Sequence, residues 1–341
     1  MTAIALPDGD GAHAHAGHPE RPARLDAVRA AVATDVELGP LVRLDAAPAS
    51  REALERVHPP AYLDLVETFC RTGGGQLDVD TYATAASFDA ARQSCGAALA
   101  VVDAVMEGRA RNGFALARPP GHHARPAQAM GFCLLANAAV AVRHAQAAHG
   151  ADRVLVVDTD VHHGNGTQEV FYSDPSVLFV SSHQADIFPG TGHVGETGAG
   201  PGEGFTVNVP VPARTADGLV GLYRQLLPPL AERFRPDLVV VSFGTDAHRL
   251  DPLAGLALSV AGLADLVGVA QEAADRWAGG RLALTLEGGY HTGALAAGVA
   301  AVLRRLIDPA AEIEDPFGPT QLREPDLGPV VDAIRAAHGL P

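Results

Sequence analysis

The sequence is poor in cysteine and in long apolar runs. Its 341 residues include three scattered cysteines, Cys70, Cys95 and Cys133. An odd number of cysteines argues against a disulfide framework and fits the reducing cytoplasm. Arg, Asp or Gly interrupts the longest apolar runs, so we expect no membrane-spanning helix. The N-terminal stretch MTAIALPDGDG lacks a basic segment followed by a long apolar one, which argues against a signal peptide.

Positive charge is also scarce. The chain has 25 basic and 40 acidic residues, a formal net charge of −15, and every basic residue is arginine. The excess of negative charge argues against nucleic acid as a direct partner and would attract cationic ligands. The absence of lysine fits a GC-rich coding bias toward arginine.

Apolar residues, glycine and proline are plentiful. Hydrophobic residues make up 47% of the chain, with 37 glycines and 25 prolines. This composition suits a compact enzyme with long shaped loops rather than a disordered chain. We find no internal repeat and no linker, so we expect a single domain over residues 1–341, with a core of about 13–310 and a loosely packed C-terminal tail. No segment is clearly an interface, so a homo-oligomer stays open.

Apolar runs alternate with helical patterns along most of the chain. Strands are predicted near 113–117, 153–158, 177–182, 237–242 and 281–286. Helices are predicted near 22–33, 60–71, 87–108, 133–149, 216–234, 259–277 and 293–306. Such alternation predicts a parallel α/β sheet covered on both faces. The segment 183–205 is long and glycine-rich, as functional loops often are.

Four polar segments each follow a predicted strand. They span residues 118–123, 158–166, 242–248 and 287–290. In open α/β sheets, ligands bind beyond the carboxyl ends of the strands. We therefore expect the functional site where these four segments meet.

The second and third of these segments supply candidate metal ligands. Asp160 and His162 are two residues apart in DTDVHHGNG, so in extended chain their side chains point to the same side. With Asp246 they make three protein ligands and leave a position open for water and substrate, as in catalytic zinc sites. A bound zinc ion would lower the pKa of that water to about 7 and polarise a carbonyl group. The alternative for Asp160 is a capping residue in a polar strand-to-helix loop.

The first and fourth segments supply candidate acid–base groups. Two prolines and a glycine precede His122 and His123 and fix a rigid turn that presents adjacent imidazoles. Such a pair can act as general base and acid near neutral pH. Tyr290 follows two glycines and could donate a hydrogen bond to a developing oxyanion. These groups, together with the metal ligands, predict metal-assisted hydrolysis of an amide.

The motifs resemble those of the zinc-dependent histone deacetylase and acetylpolyamine amidohydrolase family, of the bacterial class II-like kind. The matching segments are HPERPARL, RPPGHHA, MGFCLLANAAVA, DTDVHHGNGTQ, FPGTGH, SFGTDAHRLDPLAG and EGGY. They run in family order from about residue 13 to 292. The resemblance implies the arginase/deacetylase α/β fold, with a central eight-stranded parallel sheet flanked by helices and the active site at the C-terminal strand ends.

The resemblance also implies catalytic roles. His123 resembles the general base that activates water and then protonates the amine. His122 resembles its electrostatic partner, which the buried carboxylate of Asp158 orients. Asn165 stands where some relatives have a second aspartate and would orient His123 without a full charge. Tyr290 resembles the transition-state phenol.

The resemblance implies two kinds of ion. Asp160, His162 and Asp246 resemble the ligands of one zinc ion per subunit, although Fe²⁺ or Co²⁺ could occupy the same ligands. Family members often hold K⁺ beside the zinc loop. The residues that match its ligands, several through backbone carbonyls, are Asp158, Asp160, His162, Ser181 and Ser182.

Substrate contacts follow from the same comparison of motifs. Phe132, next to Gly131, and Phe188 match the aromatics that wall the acyl-lysine tunnel. Leu253 falls where polyamine-selective relatives carry a glutamate gatekeeper, and leucine there favours an acyl-lysine-like chain over a long cation. Asp80 is a candidate acceptor for backbone N–H groups of a peptide substrate, with a turn-capping role as the alternative.

The implied function is a cytoplasmic zinc-dependent deacylase. It would remove an acetyl or other short acyl group from an N-acyl lysine-like amine, either on a protein or in a small acylamine. One alternative is an acetylpolyamine amidohydrolase, which the acidic charge permits. A second is a catalytically weak zinc protein that binds acylated ligands. A third is an arginase-like ureohydrolase, whose binuclear manganese site needs more Asp and His ligands than this chain shows.

Overall fold

The computed structural model describes residues 1–8, 10–320 and 322–341. The strands within these residues are β1 (Thr2–Ala5), β2 (Val42–Arg43), β3 (Gly74–Gln76), β4 (Tyr82–Thr84), β5 (Asn112–Ala115), β6 (Val154–Asp158), β7 (Val177–Gln184), β8 (Thr206–Val211), β9 (Leu238–Phe243) and β10 (Leu282–Leu286). The α-helices are α1 (Ala23–Thr34), α2 (Arg51–Glu55), α3 (Pro60–Arg71), α4 (Ser87–Met106), α5 (Asn137–His149), α6 (Asn165–Phe171), α7 (Gly218–Phe234), α8 (Val260–Trp277), α9 (Thr292–Ile307) and α10 (Gly328–His338).

Eight of the strands form one sheet. Its order is β2-β1-β5-β10-β9-β6-β7-β8, and every pair is parallel. β3 and β4 pair antiparallel in a separate small sheet. Parallel neighbours need long crossover connections, which the helices between the strands provide. The prediction of an α/β fold with a central eight-stranded parallel sheet is confirmed.

The central strands are buried on both faces. On β6, Leu155 and Val157 belong to one hydrophobic cluster, whereas Val154 and Val156 belong to another. Successive side chains of a strand point to opposite faces, so a strand covered on both sides needs an unbroken apolar run. Residues of α1, α7, α8 and α9 complete the first cluster, and residues of α4 and α5 complete the second.

Three strands of the sheet were not predicted from the sequence. β2 and β8 are the two edge strands, and β1 lies next to β2. β1 has four residues and β2 only two, too few to show a period. β8 has the sequence TVNVPV. Its proline has no backbone N–H to donate, and an edge strand tolerates this because the N–H groups on its outer side have no partner strand.

The C-terminal tail packs more firmly than expected at its end. α10 contacts β8 and α7. Val331 and Ile334, three residues apart and therefore on one face of this helix, are buried in the first hydrophobic cluster. The prediction of a loosely packed tail is wrong for α10, because these two side chains anchor it to the core.

Cys70, Cys95 and Cys133 are buried and free. Across the described parts of the chain, no helix combines the length and the apolar character that a bilayer crossing requires.

A close approach of two segments makes Gly96 a sensitive position. Gly96 lies inside α4, where a Cβ atom would clash with the Ala47 carbonyl of the segment that crosses the helix. We expect Gly96→Ala to lower stability by about 1–3 kcal/mol, since the backbone must shift. Gly221→Ala is the control, because nothing lies within 4 Å of its Cβ position in the exposed part of α7. That substitution should raise stability by up to about 1 kcal/mol. Thermal unfolding of both variants checks the opposite signs, and equal effects would contradict the packing described here.

Candidate active site

The four polar segments singled out in the sequence lie side by side. They follow β5, β6, β9 and β10, which are four consecutive strands in the order β5-β10-β9-β6. Because the strands are parallel, their carboxyl ends meet at one edge of the sheet. The sheet therefore brings His, Asp and Tyr side chains from four separate loops to one place.

Asp160, His162 and Asp246 form a tight group of candidate metal ligands. Ligand atoms from the three residues all lie within 4.8 Å of one another. His162 Nδ1 is 3.2 Å from Asp160 Oδ1 and 3.3 Å from Asp246 Oδ2. Both aspartates are buried. Carboxylate and imidazole groups in this combination are a donor set that zinc accepts.

Three features of the cluster fit a divalent cation. Asp246 Oδ2 is buried and has no hydrogen-bond partner among the described residues. Backbone N–H groups fix the other contacts, since Asp160 Oδ2 accepts from Gly288 N at 2.7 Å and Asp246 Oδ1 from Val161 N at 3.1 Å. A Cβ atom on Gly244 or Gly288 would clash with these carboxylates, so the chain keeps this space clear with glycine. A zinc ion would therefore find a buried oxygen that has no hydrogen bond and the His162 ring nitrogen that faces it.

The two carboxylates of the cluster perturb each other. Burial raises the pKa of Asp246, and the neighbouring Asp160 carboxylate raises it further. Burial also opposes ionisation of Asp160, but His122 and His162 outweigh it and hold the pKa of Asp160 below its usual range. A cation between the two carboxylates would relieve their repulsion.

His122 and His123 stand next to each other with different partners. Their ring centroids are 4.0 Å apart. His122 Nδ1 lies 3.0 Å from Asp158 Oδ2, and His123 Nδ1 lies 2.8 Å from Asn165 Oδ1. One imidazole therefore faces a carboxylate and the other an amide, as the sequence predicts.

The different partners separate the protonation of the two rings. Burial alone would lower the pKa of His122, but the carboxylates of Asp160 and Asp158 outweigh it and raise that pKa to about 10. At His123, burial and the positive charges of His122 and His162 lower the pKa well below its usual value. The pair therefore places a neutral imidazole beside a charged one, and the neutral ring is the one able to accept a proton.

Tyr290 is held through its backbone and its ring. Asp251 Oδ2 accepts from Tyr290 N at 2.6 Å and from His291 N at 3.1 Å. The guanidinium carbon of Arg24 lies 4.9 Å from the centre of the tyrosine ring, and Arg24 Nε donates to the Gly289 carbonyl at 2.7 Å. Burial raises the pKa of Tyr290 well above its usual value. The phenol therefore keeps its proton and remains a hydrogen-bond donor.

Aromatic rings flank these groups. Phe188 packs edge-to-face against His123, with ring centroids 5.1 Å apart, and Phe132 packs in the same way against Tyr290 at 5.5 Å. Gly131 lies so close to the His123 ring that a Cβ atom there would clash with it. Phe188 is 39% exposed, so this side faces solvent. Such rings can line an apolar entrance. That Gly131, Phe132 and Phe188 contact a substrate there stays a prediction.

Asp80 contacts the loop that carries Phe132. Asp80 Oδ1 accepts from Gly131 N at 3.1 Å, and Thr81 Oγ1 accepts from Phe132 N at 3.0 Å. These bonds hold Phe132 at a φ of 68°, which is unfavourable for a bulky residue. The structure thus gives Asp80 a contact inside the protein, and its contact with a peptide substrate stays a prediction.

Leu253 lies at the rim of the site. Its side chain is 38% exposed, and its backbone N donates to Asp251 Oδ1 at 3.0 Å. Asp251 also accepts a hydrogen bond from the backbone of Tyr290. The loop of residues 251–253 therefore connects the exposed Leu253 to the segment that carries the phenol. The place fits the predicted gatekeeper position, while the effect of Leu253 on specificity stays a prediction.

Ser181 and Ser182 lie on β7 beside the end of β6. Ser181 is in register with Asp158, and Ser182 Oγ accepts from Tyr223 Oη at 2.9 Å. The same Tyr223 hydroxyl lies 3.3 Å from the Asp158 carbonyl. The two serines are therefore near Asp158, as a shared potassium site requires, and that site stays a prediction.

Two carboxylates whose roles were not predicted from the sequence organise the site. The buried Glu287 accepts through Oε2 from Gly121 N at 2.7 Å and from His122 N at 3.1 Å. Asp251 holds the backbone of Tyr290, as described above. Glu287 lies in the motif EGGY and Asp251 in the motif DPLAG, so both carboxylates were visible in the sequence. Their partners were not, because Glu287 and Gly121 are 166 residues apart in the chain.

Known proteins resemble this chain in sequence and in architecture. The histone deacetylase domain family matches residues 18–306. A histone deacetylase-like amidohydrolase of Pseudomonas aeruginosa is 40% identical over 319 residues, covering 92% of this chain and 84% of that protein. Human polyamine deacetylase HDAC10 is 42% identical over 296 residues, covering 82% of this chain and 43% of that protein. The crystal structure of the HDA15 HD domain matches with a TM-score of 0.87 and 36% identity, covering 99% of this chain and 96% of that one.

The glycine next to the aspartates makes metal binding testable. In Gly288→Ala, the new methyl group would displace the carboxylates of Asp160 and Asp246, so we expect loss of bound zinc. Gly288 has no positive φ, so backbone strain does not complicate the result. Gly221→Ala is the control, because nothing lies within 4 Å of its Cβ position in α7. Metal content after dialysis, with circular dichroism to verify folding, measures the effect. Full zinc content in folded Gly288→Ala would contradict the ligand arrangement.

Proposed function

This chain belongs to the histone deacetylase family, and on that premise we propose that it is a zinc-dependent hydrolase of N-acyl lysine-like amines. The coarser function, hydrolysis of acetyl amides by a deacetylase, follows from the family itself. The proposal concerns the metal, the catalytic residues and the substrate. The observation that carries it is the pair of His122 and His123, held by Asp158 and Asn165, beside the cluster of Asp160, His162 and Asp246 at the edge of the sheet.

The three candidate ligands would hold one zinc ion. When bound, zinc would supply Lewis acidity, lowering the pKa of a water molecule and polarising the acyl carbonyl. The support in this chain is the buried Asp246 Oδ2, which has no hydrogen bond among the described residues, and the donor set around it. Fe²⁺ and Co²⁺ accept the same ligands.

His123 would transfer protons in both halves of the reaction. Its neutral ring would take a proton from the attacking water, and the resulting imidazolium would give that proton to the amine as the amide C–N bond breaks. The products are a carboxylic acid and a free amine. Asn165 would orient the ring through Nδ1, which leaves Nε2 to face the substrate. This role requires a low pKa, which burial and the neighbouring charges provide.

His122 would act through its charge. Its pKa of about 10 keeps it protonated at neutral pH, held by Asp158 at 3.0 Å. A fixed positive charge next to His123 disfavours early protonation of that ring and stabilises negative charge on the substrate. Tyr290 would donate a hydrogen bond to the developing oxyanion, since its raised pKa keeps the phenol protonated.

We propose that the entrance accepts the apolar methylene chain of an acylated lysine rather than the charged chain of a polyamine. Phe132 and Phe188 would flank the methylene chain, and Leu253 offers no charge at the rim. Acetylated lysine in a protein or peptide is therefore the proposed substrate. The second candidate is an acetylated polyamine, which the net charge of −15 would attract.

The remaining proposals concern the setting of the enzyme. K⁺ would occupy the neighbourhood of Asp158, Ser181 and Ser182 as a structural ion. Residues 1–341 would act as a single catalytic domain. The three buried free cysteines support a reducing cytoplasm as its location.

Removing the phenolic hydroxyl tests the role of Tyr290. We expect Tyr290→Phe to lower kcat at least about tenfold with little change in bound zinc, since one oxyanion donor is lost. Tyr172→Phe is the matched control, because its hydroxyl has no partner in the described parts of the chain. Steady-state kinetics and metal analysis on the same samples measure both. Wild-type turnover in Tyr290→Phe would remove this residue from the mechanism.

The substrate is tested by kcat/KM on an acetyl-lysine peptide and on N-acetylputrescine side by side. We expect the wild type to prefer the peptide. In Leu253→Glu, a carboxylate at the rim should shift the ratio toward the polyamine by about tenfold, equivalent to about 1.4 kcal/mol. Leu250→Glu, at another exposed leucine nearby in the sequence, controls for added charge. A polyamine preference in the wild type would overturn the lysine assignment and leave the hydrolytic chemistry intact.

A further inference from the structure

A second group of metal-binding side chains lies between α4 and α5. His144 Nε2 is 2.6 Å and His149 Nε2 is 2.7 Å from the same atom, Asp103 Oδ1. The ring centroids of the two histidines are 5.6 Å apart and nearly perpendicular. Two nitrogens from the end of one helix thus converge on one oxygen from its neighbour.

We propose that Asp103, His144 and His149 bind a divalent metal ion, zinc by preference, at a site separate from the candidate active site. Imidazole nitrogen and carboxylate oxygen are the donors that zinc shares with the other first-row divalent metals. All three donor atoms fall within 4.8 Å of one another, as a shared ion requires. Water would complete the coordination, since the three side chains are 16–34% exposed.

The arrangement of this group fits an ion. Asp103 Oδ1 faces a ring nitrogen of both His144 and His149, so one oxygen and two nitrogens already converge on one point. Each imidazole binds a metal through a neutral nitrogen, so the proton now directed at Asp103 moves to the other ring nitrogen or to solvent. Zinc would then take the place that the two protons occupy between the three donors.

The position of the group argues for a structural role. α5 begins at Asn137, whose side chain donates to the Pro119 carbonyl next to the loop that carries His122 and His123. The two histidines lie in the second half of this helix of 13 residues, whose two ends are about 20 Å apart. An ion here would link α5 to α4 in the half of α5 that lies farther from the candidate active site. It would stabilise the scaffold of the catalytic loop without contact with substrate.

The test counts zinc ions per chain in the protein of residues 1–341, equilibrated at one free zinc concentration. We expect His149→Ala and Asp103→Asn each to bind about one zinc fewer than the wild type, with catalytic turnover at low temperature retained. Asp152→Asn is the matched control, because it removes an exposed carboxylate just after α5 and should keep the full count. Asp160→Ala should lose a different ion and keep the one that depends on His149.

A second readout separates binding from loss of folding. Added zinc should raise the Tm of wild type more than that of His149→Ala, because only the wild type has this site. An equal zinc count in wild type, His149→Ala and Asp103→Asn would overturn the proposal, whatever the state of the candidate active site. An equal Tm response to zinc in wild type and His149→Ala would do the same.

Discussion

Buried negative charge is the constraint on which the rest of this site depends. Asp158, Asp160 and Asp246 lie at one edge of the sheet with almost no solvent exposure. Burying a carboxylate is costly unless hydrogen bonds and opposite charges compensate it. Backbone N–H groups and His122 supply part of that compensation. Asp246 Oδ2, which has no hydrogen bond among the described residues, marks what remains, and we propose that a cation supplies it.

The same constraint explains the form of the loops. Carboxylates can share a small buried space only if the backbone comes close to them, and Gly244 and Gly288 permit that approach. Further carboxylates, Glu287 and Asp251, then fix the backbone around the histidine pair and Tyr290. These bonds hold the loop backbone, so we expect the candidate catalytic groups to keep their relative positions before a substrate binds. Preorganisation of this kind is what makes electrostatic catalysis effective.

Local patterns predicted the centre of the molecule well. The apolar run before Asp158 indicated a strand buried on both faces, and its carboxyl end placed Asp160 and His162 at the sheet edge. β1 is too short to show such a run, and β8 alternates valine with Thr, Asn and Pro instead of forming one. Long-range contacts were also invisible, because the bonds of Glu287 to Gly121 and of Asp103 to His144 join segments that only the folded chain brings together. The firm packing of α10 depends in the same way on β8 and α7.

Anomalous diffraction at the zinc absorption edge, from a crystal of the zinc-loaded protein, tests most directly whether Asp160, His162 and Asp246 hold a zinc ion. We predict a strong peak between His162 Nδ1 and the carboxylates of Asp160 and Asp246, next to the Asp246 oxygen that has no hydrogen bond. A fully zinc-loaded crystal without a peak at that position would contradict it. In that case the buried carboxylates would have to be neutralised by protons, and the site would have no metal on which a deacetylase of this family could work.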